Sequence, residues 1–425
     1  MRGSIVLHRG SWTVADQLVV SGGTFVVNLL LARQLPAVEY GLFAVLFGAM
    51  LTMQLPSGSL LLYPLSIRLQ AMERWKDRAV LMRSTLLLNL ILAVVLGLAL
   101  VPALVVFGRA ELALPALLCF VLWQVQEGTR RCLFATFRHK SAILGDSVSY
   151  IGQAVIVATL AANGALTLSG AFLGMAVTSL AASVVQWAQL RIPLRGSLPL
   201  RQVAAESWAF GGGWSLGNGI LSQLRGQVLA WAVAIHGGMA AAASLQAALN
   251  VVNMANPLLI SLGNIIPQAA AHARREGNSE AWRAARAYAY LALPLFTGYA
   301  ALVLAVPELI LQLFYGSRSE YAGLATVLRL LVAGALIGYM ADIVVSFLHG
   351  VVALRLATLI NAVGLCATLL LSWMLVGKYG LIGGCIASLG ANLARLAVSR
   401  GAMTKVLGDS GPPVASALAT ARLRE

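Results

Sequence analysis

The chain has 425 residues, of which 59% are hydrophobic and only 11% are charged, and its mean hydropathy is +0.83 with a formal net charge of +15. This composition excludes an ordinary soluble domain. A helix needs about 20 apolar residues to cross a bilayer. Six long stretches contain no Asp, Glu, Lys or Arg, namely 40–67, 84–108, 147–190, 226–273, 287–307 and 356–377.

Two of these stretches are too long for one crossing, and each contains a turn signal. These signals are Asn163-Gly164 and His236-Gly237-Gly238. We therefore predict an all-α polytopic membrane protein with about twelve transmembrane helices. The predicted spans, in chain order, are 12–32, 40–62, 84–107, 113–136, 142–162, 166–190, 208–235, 240–268, 287–307, 323–348, 356–376 and 380–400.

Basic residues gather on alternate predicted loops. If the side that carries the N-terminus is inside, 24 of the 30 Lys and Arg residues lie in inner loops or at the inner ends of spans. This positive-inside pattern predicts that both termini are cytoplasmic. The net positive charge is then explained by the membrane topology and by contact with anionic membrane lipids, so we expect no nucleic-acid partner. The first span lacks a small-residue cleavage site, and we expect it to be retained.

The two halves of the chain resemble each other. The first and seventh predicted spans carry polar residues at steps of three and four, which places each set on one helix face. The stripes are Gln17, Ser21, Thr24 and Asn28 in the first span and Ser215, Asn218, Ser222 and Arg225 in the seventh. An offset of 201 residues superposes Gln17 on Asn218, Ser21 on Ser222 and Thr24 on Arg225. We predict two pseudo-twofold-related six-helix bundles around a central cleft. The predicted bundles are 1–192 and 208–402, joined by a cytoplasmic linker at 193–207 and followed by a tail at 403–425.

Arg225 is the ionisable residue that most needs an explanation, because it lies near the middle of its span. Its own helix offers no carboxylate three or four residues away, and Asn218 and Ser222 share its face. A planar guanidinium suits the oxygens of a pyrophosphate, although a buried interhelical pair is an alternative. In the next span, Asn250 and Asn253 offer amides either to sugar hydroxyls or to neighbouring helices.

Other charged residues within spans are candidates for ion coupling or gating, since a charge in the bilayer persists when it is paired or lines a wet cavity. These candidates are Asp16, Asp342, Glu127, Arg131 and Asp146. Each also has a structural interpretation. The i, i+4 spacing predicts a Glu127–Arg131 pair. A hairpin of the fourth and fifth spans would bring Asp146 level with residues 131–133, where it could form an ion pair. Asp342 could pair with Arg355 across the turn between the tenth and eleventh spans, and Asp16 could cap the start of a helix. We expect Arg395 to lie near the inner interface and to extend its head group into it.

The sequence shows no ATP-binding signature GxxxxGK[ST] and no zinc signature HExxH. The five histidines do not cluster, and the four cysteines form no CxxC pair and lie in predicted spans. We therefore expect no metal site, no disulfide and no resident cofactor. These absences favour a transporter over an enzyme.

Several segments carry a recognisable pattern, namely DQLVVSGGTF at 16–25, the stretches 31–33 and 39–41, QEGTRR at 126–131 with Phe134-Ala135 and Asp146, and KYGLxG at 378–383. These segments resemble Wzx-type oligosaccharide flippases of the MOP superfamily, which also contains MATE-like multidrug exporters and lipid II flippases. The resemblance implies two six-helix bundles around a cleft and alternating access driven by an ion gradient or the membrane potential, with H+ or Na+ as the possible coupling ion. It also implies a bacterial inner-membrane location.

Three functions follow from these observations. The first is a flippase for a polyprenyl-pyrophosphate-linked oligosaccharide, with Arg225 on the pyrophosphate, polar stripes on sugars, and the polysaccharide polymerase machinery as a partner. The second is a cation-coupled multidrug exporter, which the central arginine disfavours. The third is a membrane glycan polymerase or ligase, which usually needs a sizeable outer loop that is absent from the predicted topology.

Overall fold

The computed structural model describes residues 2–193, 196, 198–209 and 213–408. Side chains are described in these ranges except at 2–11, 13–14, 70–71, 213–215, 218 and 264. The described residues form helices joined by short turns, and no strand occurs among them. The predicted all-α class is confirmed. The chain divides into two compact units, Met1–Gln223 and Leu224–Glu425.

The helices of the first unit follow the apolar runs of the sequence. Pro36 precedes α2 and Pro199 precedes α10, where a missing N–H costs nothing. Thr167 caps α9 by accepting a 3.0 Å hydrogen bond from the Gly170 amide. The helices of this unit are α1 Arg2–Gln34, α2 Ala37–Met53, α3 Tyr63–Ala71, α4 Trp75–Leu98, α5 Leu100–Val106, α6 Ala113–Ala135, α7 His139–Asp146, α8 Gly152–Ala162, α9 Leu168–Leu190 and α10 Leu200–Ser207.

Two π-helical segments that lie wholly within the described residues interrupt the first unit. One, Ser57–Leu62, follows Pro56, which has no N–H for a regular α-helical ladder. The other, Ser147–Ile151, joins α7 to α8 without a turn. Segments of this kind rearrange the side chains around them and are frequent at functional sites.

The helices that follow in the chain include the two longest, α11 with 40 residues and α16 with 55. The division between the units falls inside α11, whose bounds are Gly213–Val252. The remaining helices are α12 Asn256–Ala273, α13 Asn278–Ala305, α14 Pro307–Tyr315, α15 Ala325–Gly350 and α16 Leu354–Gly408.

Within the described ranges, 10 helical stretches are long and apolar enough to cross a membrane. Two of them, Gly219–Glu276 and Leu354–Gly408, span 58 and 55 residues, so each has room for two crossings of about 20 residues. A non-helical glycine lies inside each, Gly238 with φ 77° and Gly380 with φ 56°. The predicted turn at 236–238 is confirmed by Gly238. The ten membrane-capable stretches make the chain a multi-pass membrane protein.

Each unit has its own apolar core. In the first unit, Leu81, Met82 and Leu133 are inaccessible to solvent, and α6 packs against both α4 and α9. In the second unit, Ile266 and Phe347 are equally buried, and α15 packs along α16. The central positions of α6 and α16 matter because each of these helices carries a buried arginine.

The predicted linker contains α10, whose Glu206 forms an ion pair with Arg68 of α3. The predicted tail begins inside α16, and its residues from 409 onward lie outside the described ranges.

Candidate functional site

A single guanidinium, that of Arg130 on α6, is surrounded by three carboxylates. It donates hydrogen bonds to Asp16 Oδ2 at 2.8 Å, Glu127 Oε2 at 3.1 Å and Asp146 Oδ2 at 2.6 Å. These carboxylate side chains are 1%, 9% and 0% exposed. Arg131 adds a 2.6 Å bond to Glu127, although its side chain is 56% exposed. We call these five residues the Arg130 cluster. It holds three acidic and two basic groups, so it carries one excess negative charge when all are ionised.

The polar atoms around the Arg130 cluster are almost all satisfied. Asp146 Oδ1 accepts a 3.0 Å hydrogen bond from Gln186, whose own oxygen accepts one from Thr129 at 2.7 Å. A Cβ at Gly145 would collide with the Gln186 side chain, so glycine allows this approach of α7 and α9. Asp16 Oδ1 is the exception, since it is buried and has no hydrogen-bond partner among the described residues. A buried carboxylate oxygen of this kind can accept one further hydrogen bond.

The structure corrects two interpretations of these residues. Asp16 lies inside α1 and pairs across the unit, so it is not a helix cap. Asp146 was expected level with residues 131–133, but its partner is Arg130, one residue earlier. The predicted Glu127–Arg131 pair is present.

A cavity of about 320 Å³ lies beside this cluster in the first unit. Both π-helical segments contribute to its wall, through Ser59 and Tyr150. The side chains that line it and carry polar or aromatic groups are Gln54, Ser59, Trp123, Glu127, Arg130, Arg131, Tyr150 and Gln223. The wall therefore combines two aromatic rings with donors and acceptors of both charges.

The second unit contains two arginines that share one hydrogen-bond acceptor. Asn392 Oδ1 accepts from Arg225 at 3.0 Å and from Arg395 at 3.3 Å. Arg395 also donates to Asp342 Oδ1 at 2.5 Å and to Asn361 Oδ1 at 3.3 Å. We call these five residues the twin-arginine cluster. Its charged members are two guanidiniums and one carboxylate, which leaves one excess positive charge.

The position of Asn392 is set by α15. Its amide donates a 3.1 Å hydrogen bond to the Gly334 carbonyl, which directs Oδ1 towards the two arginines. Gly364 of α16 makes room for both arginines, because a Cβ there would lie 2.7 Å from Arg395 Cγ and 3.3 Å from Arg225 Cδ. The cluster is therefore a built arrangement that holds two like charges side by side.

Two further expectations are wrong. Arg395 does not extend to the interface, since its side chain is 1% exposed. Its Nε is buried without a hydrogen-bond partner in the described structure. Asp342 pairs with Arg395 and not with Arg355. The Asp342 side chain is 49% exposed, so the cluster is accessible on the side of this carboxylate.

Comparison with solved structures identifies the architecture. A MATE family multidrug resistance transporter of the MOP superfamily, in an inward-facing conformation, has a TM-score of 0.73 at 15% identity and covers 93% of this chain and 96% of its own. Lipid II flippase MurJ, in an inward closed conformation, has a TM-score of 0.74 at 13% identity over 94% and 87%. A MOP superfamily transporter from Pyrococcus furiosus, described with a binding pocket of reversed polarity, has a TM-score of 0.66 at 13% identity over 94% and 95%.

The chain has the fold of the MOP transporters. No family model matches it, and no curated protein matches its sequence. At these identities the likeness concerns the fold, so the chemistry has to be argued from the residues of this chain.

Within this MOP fold, two residues of the first polar stripe donate hydrogen bonds to backbone carbonyls of their own helix. Thr24 Oγ1 donates to the Val20 carbonyl at 2.8 Å, and Asn28 Nδ2 donates to the Thr24 carbonyl at 3.0 Å. Gln17 Nε2 donates to Ser21 Oγ at 3.2 Å, and both side chains are partly exposed. Gln17 and Ser21 are thus better placed for a ligand than Thr24 and Asn28.

The other residues predicted to bind the substrate differ in how exposed their side chains are. Ser222 and Asn253 are exposed, whereas Asn250 is buried and its Nδ2 has no partner among the described residues. The side chains of Ser215 and Asn218 lie outside the described residues.

Sequence reasoning missed Arg395 and Asn392 as members of a site. The spacing of three residues places both on one face of the last span, and an arginine paired with an asparagine there is a signal that could have been used. It also missed Trp123, because one tryptophan in an apolar span carries no periodic pattern.

Proposed function

We propose that the chain is a flippase that moves a polyprenyl-pyrophosphate-linked oligosaccharide from the inner to the outer leaflet of the bacterial cytoplasmic membrane. Alternating access would carry the head group across, for exopolysaccharide, capsule or O-antigen synthesis. The observation that carries this proposal is the twin-arginine cluster. In it Arg225 and Arg395 share Asn392, and among the described residues only Asp342 opposes their charge.

A pyrophosphate fits the chemistry of this cluster. A charge in the middle of a bilayer costs about 2.5–3.5 kcal/mol even on a lenient scale, so two adjacent guanidiniums need compensation. Asp342 supplies one negative charge, and its exposed side chain is free to be displaced from Arg395. Planar guanidiniums form paired hydrogen bonds with phosphate oxygens. A diphosphate therefore supplies the charge that the cluster lacks.

The alternative is a multidrug exporter, because the chain shares its fold with a transporter named for multidrug resistance. For the MOP transporter from Pyrococcus furiosus, the reversed polarity of its binding pocket is described as suggesting a different function. A cationic drug needs free carboxylates. In this chain Asp16, Glu127 and Asp146 already accept hydrogen bonds from Arg130, and the second unit is positive at its cluster. This arrangement favours the anionic lipid-linked substrate.

We also propose that protons, and not Na+, drive the cycle through the Arg130 cluster. Its three carboxylates converge on a guanidinium, so each of them already has a cationic partner. The excess negative charge and the unpartnered Asp16 Oδ1 suit one exchangeable proton.

Asp16→Asn tests the coupling role. The amide imitates a permanently protonated carboxyl, so we expect transport in proteoliposomes that no longer responds to a pH gradient, while substrate binding stays within about twofold. The wild type should respond to a pH gradient and not to a Na+ gradient of the same size. A mutant that retains the full pH response would contradict the proposal, as would a wild type driven by Na+ alone.

The function itself is tested by deletion in the native host. We expect lipid-linked oligosaccharide to accumulate on the inner leaflet and surface glycan to disappear, and a plasmid copy to restore both. Extraction of lipid-linked sugars and surface staining provide the measurement. Unchanged glycan combined with raised sensitivity to cationic dyes would support the exporter instead. Copurification of the polymerase machinery with the tagged chain tests the proposed partnership.

A further inference from the structure

The cavity of the first unit is not explained by pyrophosphate binding or by proton coupling. Its volume of about 320 Å³ lies at the lower end of the range of small-molecule sites, about 300–1,000 Å³. Its wall contains side chains from α2, α6, both π-helical segments and the first-unit part of α11, which contributes Gln223. Since π-helical segments concentrate at functional sites, two of them at one cavity point to a binding role.

The aromatic part of the wall offers a flat apolar surface. Trp123 stacks on Phe47, with ring centroids 5.5 Å apart and planes inclined by 23°. Phe47 in turn stacks on Phe43, which is buried. The indole is thus fixed from one side by an aromatic column, while Trp123 also lines the cavity. A rigid ring of this kind packs against a ligand at a low entropic cost.

The polar part of the wall offers paired donors and acceptors. Gln54 presents an amide, Ser59 a hydroxyl and Arg131 a guanidinium that is 56% exposed. Glu127 is held by two arginines at 2.6 Å and 3.1 Å, so its carboxylate is already neutralised. The lining has no free carboxylate for an organic cation, but it has several groups that bind hydroxyls.

We propose that this cavity binds one pyranose ring of the transported glycan, with the apolar face of the sugar on Trp123 and its hydroxyls on Gln54, Ser59 and Arg131. A sugar ring has both an apolar C–H face and a rim of hydroxyls, which matches a wall with one aromatic face and several hydrogen-bonding groups. The proposal rests on the proposed function and assigns the glycan its own subsite, separate from the phosphate-binding arginines.

Close packing supports a preformed site. A Cβ at Gly23 of α1 would lie 2.6 Å from Tyr150 Cβ, so glycine lets α1 press directly on the π-helical segment that carries Tyr150. The neighbouring Gly22 has nothing within 4 Å of its Cβ position. Close contact with α1 therefore holds the cavity wall at Tyr150 in place, which reduces the reorganisation needed for ligand binding.

The test is a pair of titrations of the full chain in nanodiscs, followed by intrinsic tryptophan fluorescence and calorimetry. One series uses free maltose, N,N′-diacetylchitobiose and digalacturonic acid, and the other uses geranyl pyrophosphate. We expect at least one sugar to bind the wild type. Trp123→Ala should weaken that binding by at least about tenfold and leave geranyl pyrophosphate within about twofold. Trp123→Tyr keeps an aromatic face and should retain most of the sugar affinity.

Controls separate this inference from the proposed function. Trp373→Phe removes an indole that is 77% exposed in the second unit, and it should leave both titrations unchanged. Absence of sugar binding in a wild type that binds geranyl pyrophosphate overturns the sugar subsite alone. Absence of pyrophosphate binding in a wild type that binds sugar overturns the proposed phosphate site alone. Binding of tetraphenylphosphonium that is lost in Trp123→Ala would make the cavity a drug site and overturn the inference.

Discussion

Arg225→Ala and Arg395→Ala are each expected to lower the affinity for a prenyl pyrophosphate by at least about tenfold. Hydrogen bonds to a charged group contribute about 1.5–3 kcal/mol, and each 1.4 kcal/mol is about a factor of ten. Both arginines reach the same oxygen of Asn392, so a diphosphate beside it meets both guanidiniums. Calorimetry with geranyl pyrophosphate on the purified variants measures the affinity. In the deletion strain, neither variant should restore surface glycan although both insert into the membrane.

Three further variants make this prediction specific. Arg329→Ala removes an exposed arginine of α15 that pairs with Glu308, and it should leave the affinity unchanged. Arg225→Lys should fail at least partly, because an ammonium cannot make paired bonds. Asp342→Asn should act in the opposite direction and raise the affinity several-fold, since the competing carboxylate is removed. Normal glycan and affinity in Arg225→Ala would rule out its contact with the pyrophosphate.

Much of the fold could be predicted because apolar runs and turn residues are local properties of the sequence. The long uncharged runs located the helices, and Gly164 and Gly238 have the positive φ values of a turn at the predicted positions. The interruptions of the long helices by π-helical segments could not be predicted. They depend on how a helix packs against its neighbours, and only Pro56 gives a local signal for one of them.

The candidate site was only partly predictable for the same reason. Arg225 stood out because a charge at mid-span is rare and costly. The pairing of Arg395 with Asp342 joins residues 53 positions apart, and that of Arg130 with Asp16 joins residues 114 apart. The sequence offered nearer partners for Asp342 and Asp146, and distance along the chain favoured them. Helix packing decides such pairs, and one sequence does not contain that information.

The carboxylates paired with Arg395 and with Arg130 differ in burial. This difference determines how much the loss of each arginine should destabilise its unit. Asp342 is 49% exposed, so the loss of Arg395 leaves no carboxylate enclosed within the protein, and the second unit should remain folded. The three carboxylates around Arg130 are at most 9% exposed and have no such escape. Protonation would remove the repulsion among them but would leave their hydrogen-bonding capacity unmatched.

Arg130→Ala is therefore expected to be the most destabilising substitution in the first unit. Removal of one partner from a buried ion pair costs about 3–5 kcal/mol, and here three carboxylates lose a common partner. We expect a large drop in the thermal midpoint and in the monodisperse fraction on size-exclusion chromatography in detergent. Arg131→Ala is the matched control from the next residue of α6, and it should destabilise much less, because that side chain is 56% exposed and Glu127 keeps its bond to Arg130. Arg130→Lys should fall between them, since one ammonium cannot reach all three carboxylates in the same geometry. If Arg130→Ala were as stable as Arg131→Ala, the Arg130 cluster would not hold α1, α6 and α7 together.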